Sequence, residues 1–293
     1  MLKKTCFFLT AFVFILSISS CGIQNAVPIS TYPSFQTHSE EVQPFFSVTD
    51  PFNLRGLCEE KRTFTYGIAR DGKPHAVSVE NQNYFDRFPE IHALAWDRKS
   101  EEKVLYLTFD CGYEYNGNTK KILDILANKE VSAAFFCTLS FLEKNPETVQ
   151  NMADGAHIIG NHSKTHPVFP SLSRTEMAEE IFAVDQHLKN IYGYNCRYFR
   201  FPEGIYSENA LELAASRGKY SVFWSLSYAD WGPNNQKSTA EALDTLLSRL
   251  HPGAVILLHA VSDTNAEILG DFIDLARAEG YSFQSLDFYY NHE

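Results

Sequence analysis

From about residue 100 to its end, the chain alternates short apolar segments with amphipathic stretches, and this alternation restricts the folds that it can adopt. Polar residues, glycine or proline bound each apolar segment, as is typical of β-strands. We predict seven strands, at 104–110, 131–137, 157–160, 198–201, 220–224, 254–259 and 282–285. Helices are predicted between them, among others at 175–192, 240–250 and 265–279.

Strand and helix in repeated alternation are typical of a parallel sheet covered by helices. The nearly continuous apolar character of segments such as 254–258 indicates strands that are buried on both faces. The predicted fold is therefore of the α/β class, a distorted (β/α)7 barrel that need not close completely, with an N-terminal extension. Ser173, with Glu176 three residues later, is a predicted capping box for the helix at 175–192.

Residues capable of catalysis end or follow successive predicted strands. The carboxyl ends of parallel barrel strands share one rim, so we expect these side chains to converge there. They are Asp110 at the end of the first strand, His162 and His166 after the third, Arg200 in the fourth, Asp230 and Trp231 after the fifth, and His259 at the end of the sixth.

A carboxylate and two imidazoles at one rim favour metal-assisted hydrolysis, in which neutral imidazoles hold the ion and a carboxylate takes a proton from water. The spacing of His162 and His166 alone is ambiguous, because two surface histidines one helical turn apart look the same. Single residues also have structural explanations. Asp230 could cap a turn, Trp231 could belong to the core, and Arg200 could form an ordinary ion pair.

Five motifs, in this order, resemble those of the NodB-homology polysaccharide deacetylases, carbohydrate esterase family 4. They are Thr108-Phe109-Asp110, His162 to His166, Arg200 to Gly204, Asp230-Trp231 and Leu257-Leu258-His259. Gly112-Tyr113-Glu114 and the segment 260–267 further resemble the subgroup that deacetylates N-acetylmuramic acid in spore-cortex peptidoglycan and so leads to muramic δ-lactam. The resemblance implies a hydrolase acting on linear amide C–N bonds of acetylated sugars.

The resemblance also implies a role for each matching residue. Asp110 would be the general base, held by Arg200, and His259 the general acid, oriented by Asp230. A divalent metal ion, zinc by its ligand chemistry, would bind to the imidazoles. The remaining implied residues are the metal ligands His162 and His166 and the substrate contacts Trp231, Glu203 and Tyr113.

Cys111 departs from the family pattern, because most members have a second Asp at this position that completes the metal site. A thiolate is a good zinc ligand and could replace the carboxylate. Alternatively Cys111 is a small buried side chain, as in the subgroup that also lacks this Asp, which leaves two imidazoles and a weakly held metal. Metal dependence therefore stays open at this point.

The N-terminus predicts an exported lipoprotein. Lys3 and Lys4 precede an apolar segment, 6–18, and small residues precede Cys21 in a pattern that resembles a bacterial lipobox. We therefore expect a signal peptide at 1–20, lipidation of Cys21, a flexible tether at 21–50 and an extracytoplasmic, membrane-anchored location. The alternatives are an ordinary signal peptide and an uncleaved anchor, although the apolar segment is shorter than the roughly 20 residues of a spanning helix.

An extension at 51–98 is predicted to precede the catalytic domain at 99–293. It lacks a periodic pattern but is rich in aromatic residues, which could pack on the barrel or bind carbohydrate. Packing is the favoured interpretation, because aromatic side chains dominate cores. These residues are Phe64, Tyr66, Tyr84, Phe85, Phe88 and Trp96.

The formal net charge of −11 argues against nucleic acid as a partner, because an acidic surface repels phosphate. The expected partners are peptidoglycan glycan strands and, through the lipid anchor, the membrane, and the protein is expected to be a monomer. The leading hypothesis is de-N-acetylation of N-acetylmuramic acid in peptidoglycan. The alternatives are an N-acetylglucosamine or chitin-type deacetylase, and a catalytically weak wall-binding lipoprotein.

Overall fold

A curled, mainly parallel β-sheet with helices packed against it organises the protein, whose computed structural model describes residues 46–99 and 102–291. The predicted signal peptide, the predicted lipidation site Cys21 and most of the predicted tether lie outside the described residues. Among the described residues, no helix combines the length and the apolar character that crossing a membrane requires.

The strands are short and several of them are buried along their whole length. In chain order they are β1 (Arg62–Thr63), β2 (Ala93–Leu94), β3 (Val104–Cys111), β4 (Ala134–Cys137), β5 (Ile158–Asn161), β6 (Tyr198–Phe199), β7 (Ile205–Tyr206), β8 (Tyr220–Val222), β9 (Ala254–His259) and β10 (Ser282–Phe283).

Helices occupy the connections between the strands. The α-helices are α1 (Ala76–Phe85), α2 (Asn118–Asn128), α3 (Leu139–Lys144), α4 (Pro146–Asp154), α5 (Arg174–Tyr192), α6 (Glu208–Ser216), α7 (Thr239–Leu247), α8 (Asp263–Ala278) and α9 (Leu286–Asn291). Short 3-10 turns lie at Pro89–Ile91, Phe169–Ser171 and Pro202–Gly204.

The main sheet has the strand order β10-β3-β4-β5-β6-β8-β2. The remaining strand, β9, lies outside this order and pairs in parallel with β3. The chain after β8 also reaches β9, because Leu226 and Ile256 form a parallel bridge and Leu257 N–H donates to Leu226 O at 2.9 Å. The sheet therefore curls back on itself. The predicted α/β fold with a distorted barrel is confirmed, and all seven predicted strands are present.

An eighth strand of the main sheet was missed, because β2 is only two residues long and has no periodic pattern to detect. It comes from the predicted extension and pairs in parallel with β8. The extension also contributes β1, which pairs antiparallel with β7 outside the main sheet. Of its aromatic side chains, Phe64 and Phe85 are buried in the same core cluster as Phe223 and Trp224, so they pack rather than face solvent.

The two faces of β3 have different surroundings, because successive side chains of a strand point to opposite sides. Leu105, Leu107, Phe109 and Cys111 belong to a core cluster that includes apolar side chains of α2 and α8. Tyr106 belongs to the other core cluster. Asp110, four residues after Tyr106, therefore lies on the same face of β3 as Tyr106, which points away from helices α2 and α8.

Local signals account for the longest helix between these strands. Ser173 caps α5, its side chain accepting from Glu176 N–H while the Glu176 carboxylate accepts from Ser173 N–H, so the predicted capping box is confirmed. The helix ends at Gly193, whose φ of 63° is left-handed, a conformation that glycine adopts without steric cost. This helix packs on the part of the sheet that carries the histidine-containing segment after β5.

Candidate active site

Asp110 and Arg200 form a buried ion pair at the carboxyl end of β3. Arg200 Nη1 donates to Asp110 Oδ1 at 2.8 Å, and Nη2 donates to Thr108 Oγ1 at 2.9 Å. Nε donates to the backbone oxygen of Val222 at 2.9 Å, and the guanidinium lies 4.1 Å from the ring centre of Phe136. Burial by itself raises the pKa of Asp110, but the charge and hydrogen bond of Arg200 and the nearby His162 and His259 together outweigh it, so the net pKa is below the usual range.

His162 lies beside this ion pair. Its Nδ1 is 2.9 Å from the backbone oxygen of Arg200, to which it donates as the protonated ring nitrogen, so the lone pair of Nε2 remains available. Nε2 is 3.5 Å from Asp110 Oδ2. Burial lowers the pKa of His162 to about 4, so the ring is neutral at neutral pH, as a metal ligand must be.

The structure also brings His166 to this place. The ring centres of His162 and His166 are 4.8 Å apart. His166 is exposed and has a left-handed φ of 59°, and its N–H donates to Ser163 Oγ at 3.0 Å, which holds the turn. Two imidazoles, one of them neutral with its Nε2 3.5 Å from a carboxylate oxygen, fit the donor chemistry of a divalent metal ion.

Cys111 is not placed to be the third ligand. It is fully buried in the helix-facing core cluster, on the opposite face of β3 from Asp110. Burial, together with the adjacent Cys137 thiol, raises the pKa of the Cys111 thiol well above its ordinary range, so the thiolate that binds metal is disfavoured. No group of three or more metal-binding side chains is assembled within 46–99 and 102–291. The small buried side chain is thus the better interpretation of Cys111.

His259 and Asp230 form the second ionisable pair of the site. His259 Nδ1 is 2.7 Å from Asp230 Oδ1, and its backbone N–H donates to Asp230 Oδ2 at 2.8 Å. Burial lowers the pKa of His259, but the charge and hydrogen bond of Asp230 and the charge of Asp110 together outweigh it, so the net pKa is above the usual value. His259 is the register partner of Asp110 in the β3–β9 pair, so the two side chains lie on one face of adjacent strands.

The turn after Arg200 has an unusual backbone conformation. Glu203 has a left-handed φ of 55°, and Gly204 follows with a φ of 65°. Gly204 N–H donates to the backbone oxygen of Phe201 at 3.0 Å. Such unusual backbone conformations occur where a structure holds donors for a ligand. The side chain of Glu203 is exposed.

Two of the predicted substrate contacts are exposed aromatic side chains. Trp231 is 61% exposed and its ring centre lies 6.1 Å from that of His259, so it flanks the His259–Asp230 pair. Tyr113 is 50% exposed in the loop after β3. Large exposed aromatic rings on a rim are suited to stacking against sugar rings.

Three polar residues that hold the charged groups in place were not predicted. Thr108 accepts from Arg200, and it was quoted in the first motif without a role of its own. Asn265 donates through Nδ2 to Asp230 Oδ2, and Tyr228 donates its hydroxyl proton to Asn265 Oδ1. Only the position of Asn265 in the segment 260–267 hinted at its importance, and nothing in the sequence indicates that it meets Asp230.

Comparisons with known proteins agree with this geometry. The family model described as polysaccharide deacetylase matches residues 97–222. The chain is 41% identical over 189 residues to the peptidoglycan-N-acetylmuramic acid deacetylase PdaA of Bacillus subtilis, which covers 64% of this chain and 72% of that protein. The chain belongs to the polysaccharide deacetylases, carbohydrate esterase family 4.

Other members of the polysaccharide deacetylase family are similar over comparable lengths. The peptidoglycan-N-acetylglucosamine deacetylase of Bacillus cereus is 31% identical over 185 residues, covering 63% of this chain and 66% of that protein. The solved structure of Bacillus subtilis PdaA, a family 4 carbohydrate esterase, superimposes with a TM-score of 0.75 at 34% identity, covering 81% of this chain and 100% of that one. The predicted family and the prediction of an amide-hydrolysing deacetylase are therefore confirmed.

Proposed function

We propose that this deacetylase hydrolyses the N-acetyl group of peptidoglycan sugars, with N-acetylmuramic acid as the favoured target. The observation that carries the proposal is the pairing of Asp110 with His259 across β3 and β9, each held by its own buried partner. The arrangement provides a proton acceptor and a proton donor on one face. The similarity to a relative named for N-acetylmuramic acid supports the choice of sugar.

In the proposed reaction Asp110 is the general base. Its carboxylate takes a proton from water as the water oxygen bonds to the acetyl carbonyl carbon. Arg200 keeps the carboxylate ionised and oriented through the 2.8 Å contact. The lowered pKa of Asp110 keeps the group charged at neutral pH, so it can accept the proton.

Glu203 N–H is the proposed donor to the oxyanion that forms on the carbonyl oxygen. His259 then donates its proton to the sugar nitrogen as the C–N bond breaks, which releases acetate and a free amine. The raised pKa of His259 keeps it protonated for this step, and Asp230 holds the ring. Trp231 and Tyr113 are proposed to contact the sugar from the rim.

His162 and His166 are the proposed ligands of a divalent metal ion, with zinc favoured by the imidazole donors. Such an ion would polarise the acetyl carbonyl and the attacking water. The position of Cys111 leaves the protein with two imidazole ligands, so we expect the ion to be held more weakly than in a three-ligand site. Chelation should then remove the ion readily.

The proposed location is extracytoplasmic, with the mature protein anchored to the membrane as a monomer through lipidated Cys21. This proposal is supported by the sequence pattern before Cys21 and by the relatives named for peptidoglycan. Peptidoglycan glycan strands are the proposed partners.

Acetate release tests the proposed function. Residues 22–293 would be incubated with peptidoglycan with and without stem peptides and with chitin oligosaccharides, before and after chelation, and the sugars analysed by mass. Acetate with muramic acid or its lactam is expected. Acetate with glucosamine instead would establish the N-acetylglucosamine alternative. No acetate from any substrate, together with retention on wall material, would support the wall-binding alternative.

Asp110→Asn is the matched inactive variant for this assay. An Asn oxygen can still accept from Arg200, so the fold should persist, but it cannot take a proton from water. We expect turnover to fall at least about 100-fold. A folded Asp110→Asn protein with near-normal turnover would exclude Asp110 as the base.

A further inference from the structure

Asp230 is fully buried, and its carboxylate is surrounded by donors of three kinds. Oδ1 accepts from His259 Nδ1, and Oδ2 accepts from the backbone N–H of His259 and from Asn265 Nδ2. A buried carboxylate without such donors would be costly and poorly oriented. Two of the donors come from His259 itself, so Asn265 is the contact that ties the carboxylate to a different element.

That element is α8. Ser262 caps its first turn by accepting from Asn265 N–H at 3.0 Å, which places Asn265 at a defined position of the helix. Asn265 Nδ2 also reaches the backbone oxygen of His259 at 3.3 Å. Asn265 therefore contacts Asp230 and the chain of His259 at once, although it is buried and cannot touch a substrate.

Tyr228 supports the orientation of the Asn265 amide. The Asp230 carboxylate can only accept, so the amide turns its NH2 group toward Asp230 and its oxygen away from it. The Tyr228 hydroxyl donates to that oxygen, Asn265 Oδ1, and so holds the amide in this orientation. Tyr228 is itself buried and lies two residues before Asp230 in the chain. Hydrogen bonds therefore connect Tyr228, Asn265, Asp230 and His259 in a continuous chain, whose first three members are buried.

We propose that Asn265 and Tyr228 are positioning residues for the general acid, which hold Asp230 so that it orients His259 toward the leaving nitrogen. This inference rests on the proposed function, because it assigns the two residues to the acid step of that reaction. Neither residue is a catalytic residue, and both act through the Asp230 carboxylate.

The test is a double-mutant cycle of Asn265→Ala with His259→Ala, assayed by acetate release with kcat and KM determined separately. In the wild-type background, Asn265→Ala should lower kcat about 10-fold, as is common for residues that orient a reacting group, with KM unchanged. In the His259→Ala background it should cause no further loss, because the group through which it acts is gone.

Tyr228→Phe is the second variant, because it keeps the buried ring and removes only the hydroxyl. We expect it to lower kcat in the same direction as Asn265→Ala, with KM unchanged. Tyr106→Phe is the matched control, since it also removes a buried hydroxyl. The Tyr106 hydroxyl donates to Asp97 Oδ2 at 2.6 Å and does not contact the His259–Asp230 pair. This control variant should lower the melting temperature while leaving kcat unchanged.

Equal losses from Asn265→Ala in both backgrounds would overturn the proposal, as would normal kcat in the folded Asn265→Ala and Tyr228→Phe proteins. A loss of kcat in Tyr106→Phe as large as in Tyr228→Phe would show that general destabilisation is the cause. If the wild-type protein itself releases no acetate, the proposed function fails before the cycle begins, so the two failures are distinguishable.

Discussion

Asp110 and His259 are both largely removed from water, and burial alone would push each of them toward its neutral form. Neighbouring charges, led by Arg200, reverse the effect of burial on the pKa of the carboxylate, and those led by Asp230 reverse it for the imidazole. The same barrel therefore favours a charged carboxylate and a charged imidazole on one face. The opposite tasks proposed for them follow from which buried partner each one has.

The Asp230 contact predicts the alkaline side of the pH dependence. His259 must be protonated to donate, and its raised pKa keeps activity up to a pH above the usual histidine value of 6.5. In Asp230→Asn the negative charge is gone and burial then lowers the pKa of His259, so the alkaline limb of kcat/KM should move to lower pH. Profiles of the two proteins measure this shift. A limb that stays in place in Asp230→Asn would rule out His259 as the titrating acid.

The position of Cys111 predicts the outcome of restoring the family carboxylate. Cys111→Asp would place a carboxylate among the apolar side chains of the helix-facing core. We expect the free energy of unfolding to fall by about 3 kcal/mol or more, with metal affinity unchanged. Denaturant unfolding and metal titration measure both quantities. Cys58→Asp, at a half-buried position outside both core clusters, is the control and should cost much less. Tighter metal binding would contradict the assigned orientation.

The order of reactive residues along the strands was predictable, because strand ends in an α/β barrel meet at one rim. The face on which Cys111 lies was not, because Asp110 and Cys111 are adjacent and only the exact strand register decides which one points inward. The contact between Asn265 and Asp230 was equally hidden, since it joins residues 35 positions apart through side chains.

At the scale of elements, the turn Pro202–Gly204 connects the buried arginine to the extension. Phe64 N–H donates to the backbone oxygen of Gly204 at 2.9 Å, next to the β1–β7 pair. A Cβ on Gly204 would come within 2.8 Å of the Trp224 ring and 3.1 Å of Phe64 Cβ. The extension thus packs directly against the turn that presents Glu203 N–H.

Gly204→Ala tests the importance of this packing. The added methyl group must displace Trp224 or Phe64, so we expect a loss of stability and at least about a 10-fold loss of kcat from the displaced oxyanion donor. Gly193→Ala is a matched control, because Gly193 also has a positive φ of 63° but nothing lies within 4 Å of its added Cβ. It should cost about 1 kcal/mol of stability and leave kcat unchanged. Thermal unfolding and acetate release measure both; equal kcat in the two variants would contradict the prediction.

Element types were easier to predict than their ends. The strand at 254–259 was predicted to the residue, because it is a long apolar segment with clear boundaries. The strand predicted at 198–201 is only Tyr198–Phe199, since the chain beyond it leads into the 3-10 turn Pro202–Gly204. Two-residue strands such as β1 and β2 depend on tertiary pairing alone, and no local sequence pattern predicts them.

At the scale of the whole molecule, the predicted catalytic segment 99–293 does not contain all the residues that form its hydrophobic core. Strands β1 and β2, Phe64 and Phe85 all come from the extension, and β1 pairs with β7 of the catalytic segment. Removing them would expose the apolar surface around Phe223 and leave the β8 edge unpaired. The extension and the barrel are therefore expected to fold together.

Truncation tests this expectation. A protein of residues 99–293 should be insoluble or lack a cooperative thermal transition, whereas residues 46–293 should unfold cooperatively. Circular dichroism melting curves compare the two. A well-folded 99–293 protein with normal acetate release would show that the extension is dispensable.

The pairing of Asp110 with His259 has a consequence for how such an enzyme can diverge. The distance between the proposed acid and the proposed base is set by the backbone pairing of two neighbouring strands, Leu105↔Ala254 through Asp110↔His259, and a slip of one residue would turn one of them to the helix side. Loops can be lengthened or exchanged without altering that distance. A change in sugar preference would therefore leave the distance between Asp110 and His259 unchanged. It would come instead from different loops at the rim, which position the acetamide of the substrate.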